Sequence, residues 1–472
     1  MLKKTKIVAT ISDKNCSVDF IKKLYEEGMN VVRLNTAHQS FEDALKVINI
    51  VRQVSDKIGL LLDTKGPEIR ITAVNTSFDV KRGDTLIFKG GPEEITTRDC
   101  VYVNYAGFVT DVPANCNILI DDGSLELHVS EKHSDRLVCT VQNDGKIEGR
   151  KSINVPGVSF KLPSLSKKDI DYVNFAIEHG IDFIAHSFVR NKEDVKAIKD
   201  ILESKNSDIQ IIAKIENQEG VDNIDEILEA SYGIMVARGD LAIEIPFEKI
   251  PVVQKMIINK CIEKRKPVII ATQMLHTMIT NPRPTRAEVT DVANAIYSLT
   301  DAVMLSGETA YGAYPIEAVK TMTKIICEIE HTRKDIHEMP TVILTNKRSA
   351  YLTKMAVEVA NNLNTKAIIV DTSSGRSVRN MAGFRGRRPI LAFCSQKPIV
   401  RQLSLSFGVF AEYMEQQVRS HKFVHLVCKS LIEQGRFSPD DTVVVSAGNY
   451  GPKYSKAFIE VGSFRELADD SD

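Results

Sequence analysis

The segment IIAKIENQEG, starting at Ile211, sets Lys214 and Glu216 two positions apart at the end of an apolar run. Residues two apart in a strand share a face, so an ammonium and a carboxylate project into the space that Ile212 also faces. One such pair could do no more than tie strands together. The pattern recurs, however, where other apolar runs end: Arg33-Leu34-Asn35, Asp63-Thr64-Lys65, Arg238-Gly239-Asp240, Thr272 and Ser306-Gly307-Glu308. Opposite charges converging on one small mouth are costly unless a ligand or metal organises them. Glu216 and Asp240 are the natural pair for a hard divalent cation, with water and substrate oxygens filling its remaining positions. Without a clustered His/Cys set, zinc is disfavoured. Lys214 and Arg33 cannot ligate a cation but can hold a phosphoryl group. Asn35, Asp63 and Thr64 offer hard oxygens that suit a second, monovalent cation, although each alone reads equally well as a turn or cap residue. Arg70 and Lys151 flank a change in chain character and could reach a nucleotide phosphate; plain solvation is the alternative.

The elements that must position these residues are eight short apolar runs, near Ile7, Val31, Leu61, Phe183, Ile212, Met235, Ile269 and Val303. Helical signals lie between several of them. SVDFIKKLYEEG ends in Gly28, a C-cap residue; Ser166/Asp169 and Thr285/Glu288 have capping-box spacing, and Gly180 closes the helix that Ser166 opens. Eight buried strands with crossover helices predict a closed (β/α)8 barrel, with functional residues at the C-terminal strand ends. A doubly wound open sheet is the alternative. From about Gly66 to Leu162 the rhythm changes to short alternating strands with Gly- and Asp-rich turns, such as NILIDDGSLELHVS. This predicts a small β-domain inserted after the third barrel strand, whose ends must lie close together and which could act as a lid. Past a hinge-like stretch, KDIHEMPTVILTNKRSA, the runs AIIV, PILAFCS, GVFAEY and DTVVVSAG predict a third unit, a small α/β domain. The expected boundaries are 1–66 with 163–338 for the barrel, 67–162 for the insert and 345–472 for the C-terminal domain.

The 472 residues carry a formal net charge of −1, with 43% hydrophobic and 26% charged residues, an ordinary globular balance with no field to recruit nucleic acid or an acidic membrane. No apolar run approaches the roughly 18 residues of a membrane span, and the N-terminus lacks the apolar core of a signal peptide. Eight scattered cysteines read as reduced thiols in the cytoplasm. In DTSSGRSVRNMA, Thr372, Ser373, Ser374 and Ser377 bring hydroxyls to a turn that Gly375 permits, ahead of a helix whose N-terminus favours an anion. A Ser-capped helix start is the plainer reading of the same residues.

Six segments, VVRLNTAH, LLDTKGPEIR, IIAKIENQEG, MVARGDLAIEIP, ATQMLHTMITNPRPTRAEVTDVANAI and MLSGETAYGAYPIEAV, occur in the order in which they mark the pyruvate kinase family, and the whole chain resembles that family's layout. The resemblance implies a barrel, a β-barrel lid and a C-terminal regulatory domain, usually assembled as a homotetramer, without the N-terminal extension or extra C-terminal domain of some members. It implies phosphoryl transfer from phosphoenolpyruvate to ADP with Mg2+ and usually K+. By resemblance, Lys214 stabilises the transition state, Arg33 clamps phosphate, and Glu216 and Asp240 hold Mg2+. Gly239 and Asp240 bind the substrate carboxylate, Thr272 joins a proton relay, and Ser306 and Glu308 position water. Asn35, His38, Arg70 and Lys151 match nucleotide-side positions. Asn35, Asp63 and Thr64 would hold K+, but Ala37 stands where the family commonly has a serine ligand. Glu68 is the residue type that accompanies K+ dependence. The loop from Thr372 to Ser377, with Arg376 adding charge, looks like the family's site for a phosphorylated effector, although SAGNYGPKYSKA lacks the tryptophan of many members. A metal-dependent enolate lyase or aldolase on a similar barrel, or a ligand-sensing relative without catalysis, are the competing functions.

Overall fold

The eight apolar runs are all strands: Lys6–Thr10, Val31–Asn35, Gly59–Asp63, Phe183–His186, Gln210–Ile215, Gly233–Ala237, Val268–Ala271 and Ala302–Leu305. They are called barrel strands one to eight below. The structure is a computed structural model and describes residues 2–332, 340, 342, 347–415, 420–448 and 457–469. Each barrel strand pairs in parallel with its sequence neighbours, and strand one pairs with strand eight, so the sheet closes. Closure rules out the open doubly wound sheet for this part of the chain.

Period-two alternation sorts the side chains. Ile212 joins Val8, Leu61, Phe183, Met235 and Ile269 in the barrel interior, while Ile211, Ala213 and Ile215 pack outward under the helices. Lys214 therefore continues the inward face of strand five, above a packed apolar plug. Leu405 of the C-terminal domain belongs to the same interior cluster.

The helix signals hold at the local level. Ser166 and Thr285 cap helices Lys167–Glu178 and Arg286–Tyr297 through complete capping boxes. Gly28 and Gly180 take positive φ, 115° and 62°, just after their helices, which a Cβ would disfavour. The Asp169 of the first box does more than cap. Its Oδ1 also accepts from the N–H groups of Lys65 and Gly66 at 3.0 and 3.3 Å, bracing the point where the chain leaves the barrel.

The expected β-barrel of the insert takes the form of a six-stranded sheet and a two-stranded ribbon around one apolar core of its own. The C-terminal domain is a five-stranded sheet in the order Val409–Tyr413, Ile390–Cys394, Ile368–Thr372, Thr442–Ala447, Phe458–Ser463. Its four predicted strands are parallel; the antiparallel edge strand Phe458–Ser463 is additional. Most of the hinge-like stretch and the boundaries at 338 and 345 lie outside the described residues; its last four residues begin helix Lys347–Asn362. Two buried carboxylates at the barrel floor fasten this domain. Asp301 receives both guanidinium arms of Arg385 and the backbone N–H groups of Val268 and Phe407. Asp182 receives Arg401 Nε at 2.6 Å and Arg52 Nη2 at 3.0 Å.

Candidate active site

The strand ends converge as the sequence pattern requires. Register places Asn35 beside Asp63 and Ala185 on the other side of Asp63. Asp63 is the centre of the cluster: Arg33 Nε donates to its Oδ2 at 2.6 Å, and Lys214 Nζ lies 3.1 Å from its Oδ1. Lys214 Nζ also lies 2.9 Å from Glu216 Oε1 and donates to Ser187 Oγ at 2.7 Å. Glu216 Oε2 accepts from the Phe188 N–H at 2.6 Å. Asp240 lies close enough to Glu216 for each carboxyl to act on the other's proton.

Electrostatics follow from this packing. Burial by itself lowers the Lys214 pKa, but Asp63 and Glu216 more than offset it and hold the ammonium above its ordinary pKa. Burial would likewise raise Asp63, yet Arg33 and Lys214 keep it below the usual carboxylate range. Glu216 and Asp240 fare differently. Both are pushed up, chiefly by burial, with Lys214 opposing and too few cations for the carboxylates present. Three carboxylates share one ammonium and one guanidinium. The Glu216–Asp240 side is thus the place where a hard dication would restore balance, and oxygen donors fit it. Among the described residues no group of three or more His, Cys, Asp or Glu is arranged around a metal position, so most of the ligands would come from substrate and water.

Ser187 was not singled out from the sequence. Its hydroxyl touches Lys214 Nζ, Asp63 Oδ1 at 3.3 Å and the Thr64 carbonyl at 2.6 Å. The signal was available: it directly follows strand four, as Thr64 follows strand three.

Strand-seven and strand-eight ends complete the mouth. The Thr272 hydroxyl accepts from the Gly239 N–H at 2.8 Å and donates to the Ala271 carbonyl at 2.7 Å. Glu308 is buried, and its carboxylate accepts from Ser306 N–H and Leu275 N–H at 2.7 and 3.1 Å, so it braces the two loops together. Ser306 Oγ is buried without a partner among the described residues.

The nucleotide-side candidates are more dispersed. Asn35 Oδ1 accepts from Ala37 N–H at 3.1 Å, and His38 is exposed beside it. Arg70 and Lys151 sit on neighbouring hinge segments of the insert, where Arg70 bridges to Ser152. Their side chains pair with carboxylates there: Arg70 with Glu68, and Lys151 with Asp121 at 2.9 Å and Glu148 at 3.5 Å. A cavity of about 280 Å³ between hinge and barrel is bordered by Glu68, Phe160, Phe188 and Glu216. In the C-terminal domain, Gly375 (φ 71°) starts helix Arg376–Gly383 with no side-chain cap, and its N–H donates to Thr372 Oγ1 at 2.9 Å. Ser373, Ser374 and Arg376 are exposed and Ser377 is half-buried. In SAGNYGPKYSKA, residues 449–456 lie outside the described residues.

Comparison with known proteins decides the lineage of this site. A family model described as pyruvate kinase, barrel domain, matches residues 2–319, and one described as pyruvate kinase, alpha/beta domain, matches residues 351–457. The chain belongs to the pyruvate kinase family. It is 48% identical to a pyruvate kinase of Borreliella burgdorferi, covering 98% of both chains, and 45% identical to one of Bacillus licheniformis, covering 95% of this chain and 78% of the relative. Among solved structures it resembles a pyruvate kinase from Cryptosporidium parvum, with a TM-score of 0.91, 36% identity, and 98% and 96% of the two chains covered. Membership of the pyruvate kinase family makes the chain a phosphotransferase and sets the lyase, aldolase and sensor readings aside.

Proposed function

We propose that this chain transfers the phosphoryl group of phosphoenolpyruvate to ADP at the Arg33–Asp63–Lys214–Glu216 cluster, as a glycolytic pyruvate kinase. The observation that carries the reading is the buried ammonium of Lys214, held charged between Asp63, which Arg33 also pairs, and Glu216, which has no second cation. In the reaction the P–O bond to the enol oxygen breaks and one forms to the terminal ADP oxygen. Lys214 and Arg33 neutralise charge on the migrating group, and Lys214 also faces the enolate left behind. Glu216 and Asp240 would hold Mg2+, which when bound supplies neutralisation of the phosphoryl and enolate oxygens. Gly239 and Asp240 receive the substrate carboxylate at the start of helix Arg238–Glu244. Thr272 passes a proton to the enolate carbon, and Ser306 and Glu308 shape the opposite wall.

Asn35, Asp63 and the Thr64 carbonyl are the K+ donors, and activation should be weaker than usual in the family because Ala37 brings no ligand oxygen. Asn35, His38, Arg70 and Lys151 serve ADP once the insert closes over the mouth. The exposed hydroxyls of the Thr372–Ser377 loop, with Arg376, take a phosphorylated effector. We further read the protein as a cytoplasmic homotetramer. All eight cysteines are free thiols, which fits a reducing compartment, and no helix among the described residues is long and apolar enough to cross a membrane. The test is steady-state turnover with phosphoenolpyruvate and ADP, omitting Mg2+, K+ and each candidate effector in turn. Pyruvate formation independent of ADP, or of any divalent cation, overturns the proposal.

A further inference from the structure

The loop after strand seven has an uncommon backbone. Thr272 and Gln273 both take left-handed angles, φ 63° and 54°, although neither is glycine. Such a conformation persists only where the surroundings over-determine it. Here the surroundings are the first two residues of helix Arg238–Glu244, at the neighbouring strand end. Gly239 N–H grips the Thr272 hydroxyl at 2.8 Å, while Arg238 Nη2 grips the Thr272 carbonyl at 2.6 Å. Arg238 Nε donates to the Ala271 carbonyl at 3.2 Å, and Nη2 also reaches Met274 Sδ at 2.8 Å. Both Asp291 oxygens receive Nη1, at 2.8 and 2.7 Å, from helix Arg286–Tyr297. Nε and Nη2 of the buried Arg238 are thus committed to the loop after strand seven, and Nη1 is shared between the two oxygens of one carboxylate, so its charge is spent mainly on shaping this loop.

We infer that Arg238, oriented by Asp291, is a positioning residue that aims the Thr272 hydroxyl for protonation of the enolate carbon. The inference rests on the proposed role of Thr272. In that step the Thr272 O–H bond breaks as a C–H bond forms at the methylene carbon of the enolate, and the hydroxyl takes up a replacement proton from water. Arg238 touches none of the reacting atoms. It fixes the backbone on which the hydroxyl is mounted, and a displacement of about 1 Å at such a group costs on the order of 10²-fold in rate.

The proton step can be read apart from phosphoryl transfer by following exchange of pyruvate methyl protons with D2O by NMR. The sample holds the enzyme, Mg2+, K+ and inorganic phosphate filling the phosphoryl site. Arg238→Lys should slow exchange and kcat together, by about 10- to 10²-fold, with KM for phosphoenolpyruvate and the Mg2+ response near wild type. Asp291→Asn, whose side chain is 38% exposed and easily re-solvated, should do the same to a smaller degree and serves if the buried variant does not fold. Adding Arg238→Lys to Thr272→Val should slow exchange no further than Thr272→Val alone. Multiplying losses, or a slowed kcat with normal exchange, or a displaced Mg2+ curve, would overturn the inference while leaving Thr272 in its role. Normal exchange in Thr272→Val would instead remove that role, and the inference with it.

Discussion

At the residue scale the site turns on how much negative charge surrounds one ammonium. Lys214→Met keeps the stem volume but removes the charge that Asp63 and Glu216 enclose. It should retain the fold and Mg2+ binding while kcat falls by roughly 10² to 10³, the usual cost of one preorganised electrostatic contact. Near-normal turnover in a folded variant would sink the assignment. Glu216→Gln or Asp240→Asn acts on the other side of the balance. Each should shift the Mg2+ activation curve to markedly higher concentration, since each removes a charged donor from a site with few protein ligands; an unshifted curve in both would place the metal elsewhere. Lys214, Glu216 and Asp240 were legible because charge at the end of an apolar run is costly and strand alternation tells which way it points. The centrality of Asp63 and Ser187 was not. Asp63 reads from the sequence as one oxygen donor among several, and only the register of strands two to five brings Arg33 and Lys214 onto its two oxygens.

At the scale of elements, strand four carries its own titration. His186 is its last residue and is fully buried; Nε2 faces the Ser164 carbonyl at 3.3 Å, and Nδ1 has no partner among the described residues. Burial pushes the imidazole down to about 4, with Asp194 and Asp169 only partly opposing. The unfolded chain, with a His pKa of about 6.5, therefore takes up the proton first. Stability is full above pH about 6.5 and falls as pH drops towards 4, by up to roughly 3 kcal/mol from this group. His186→Gln should flatten that acid limb in a series of thermal unfolding midpoints; an unchanged slope would mean that other groups set it. The strands and caps were readable because alternation and capping are local. The antiparallel edge strand Phe458–Ser463 escaped because its buried pattern is weak, with no fully buried residue to announce it. The insert was recognisable from its turns, but the arrangement of its strands depends on non-local pairing that composition does not encode.

At the scale of the whole molecule, the C-terminal sheet is fastened to the barrel floor through Arg385–Asp301 and Arg401–Asp182, beneath the strands that carry the site. A phosphorylated ligand at the Thr372–Ser377 loop should lower the apparent phosphoenolpyruvate requirement, a coupling of about 1–3 kcal/mol. Ser374→Asp, which adds a negative charge where the phosphate would sit, should abolish the response while leaving unstimulated turnover intact. If no phosphometabolite activates the wild type, or the variant responds equally, the loop is a helix start and nothing more. The insert has another consequence, for how the molecule comes to exist. Strands three and four are hydrogen-bonded neighbours, Leu61 opposite Phe183, yet the whole insert is threaded between them. On an elongating chain the first three strands must wait, edge exposed, until the insert has been made. An unfolded insert is a long loop to close; a folded one, with its private core and its exit tied by Arg190 to the carbonyls of Phe160 and Leu162, presents its two ends ready-made. The domain proposed to cover the mouth in catalysis would then also be the clip that lets the barrel close. Leu127→Ala, in the insert's core alone, should slow recovery of barrel structure in refolding, and an unaltered rate would show that the two units fold independently.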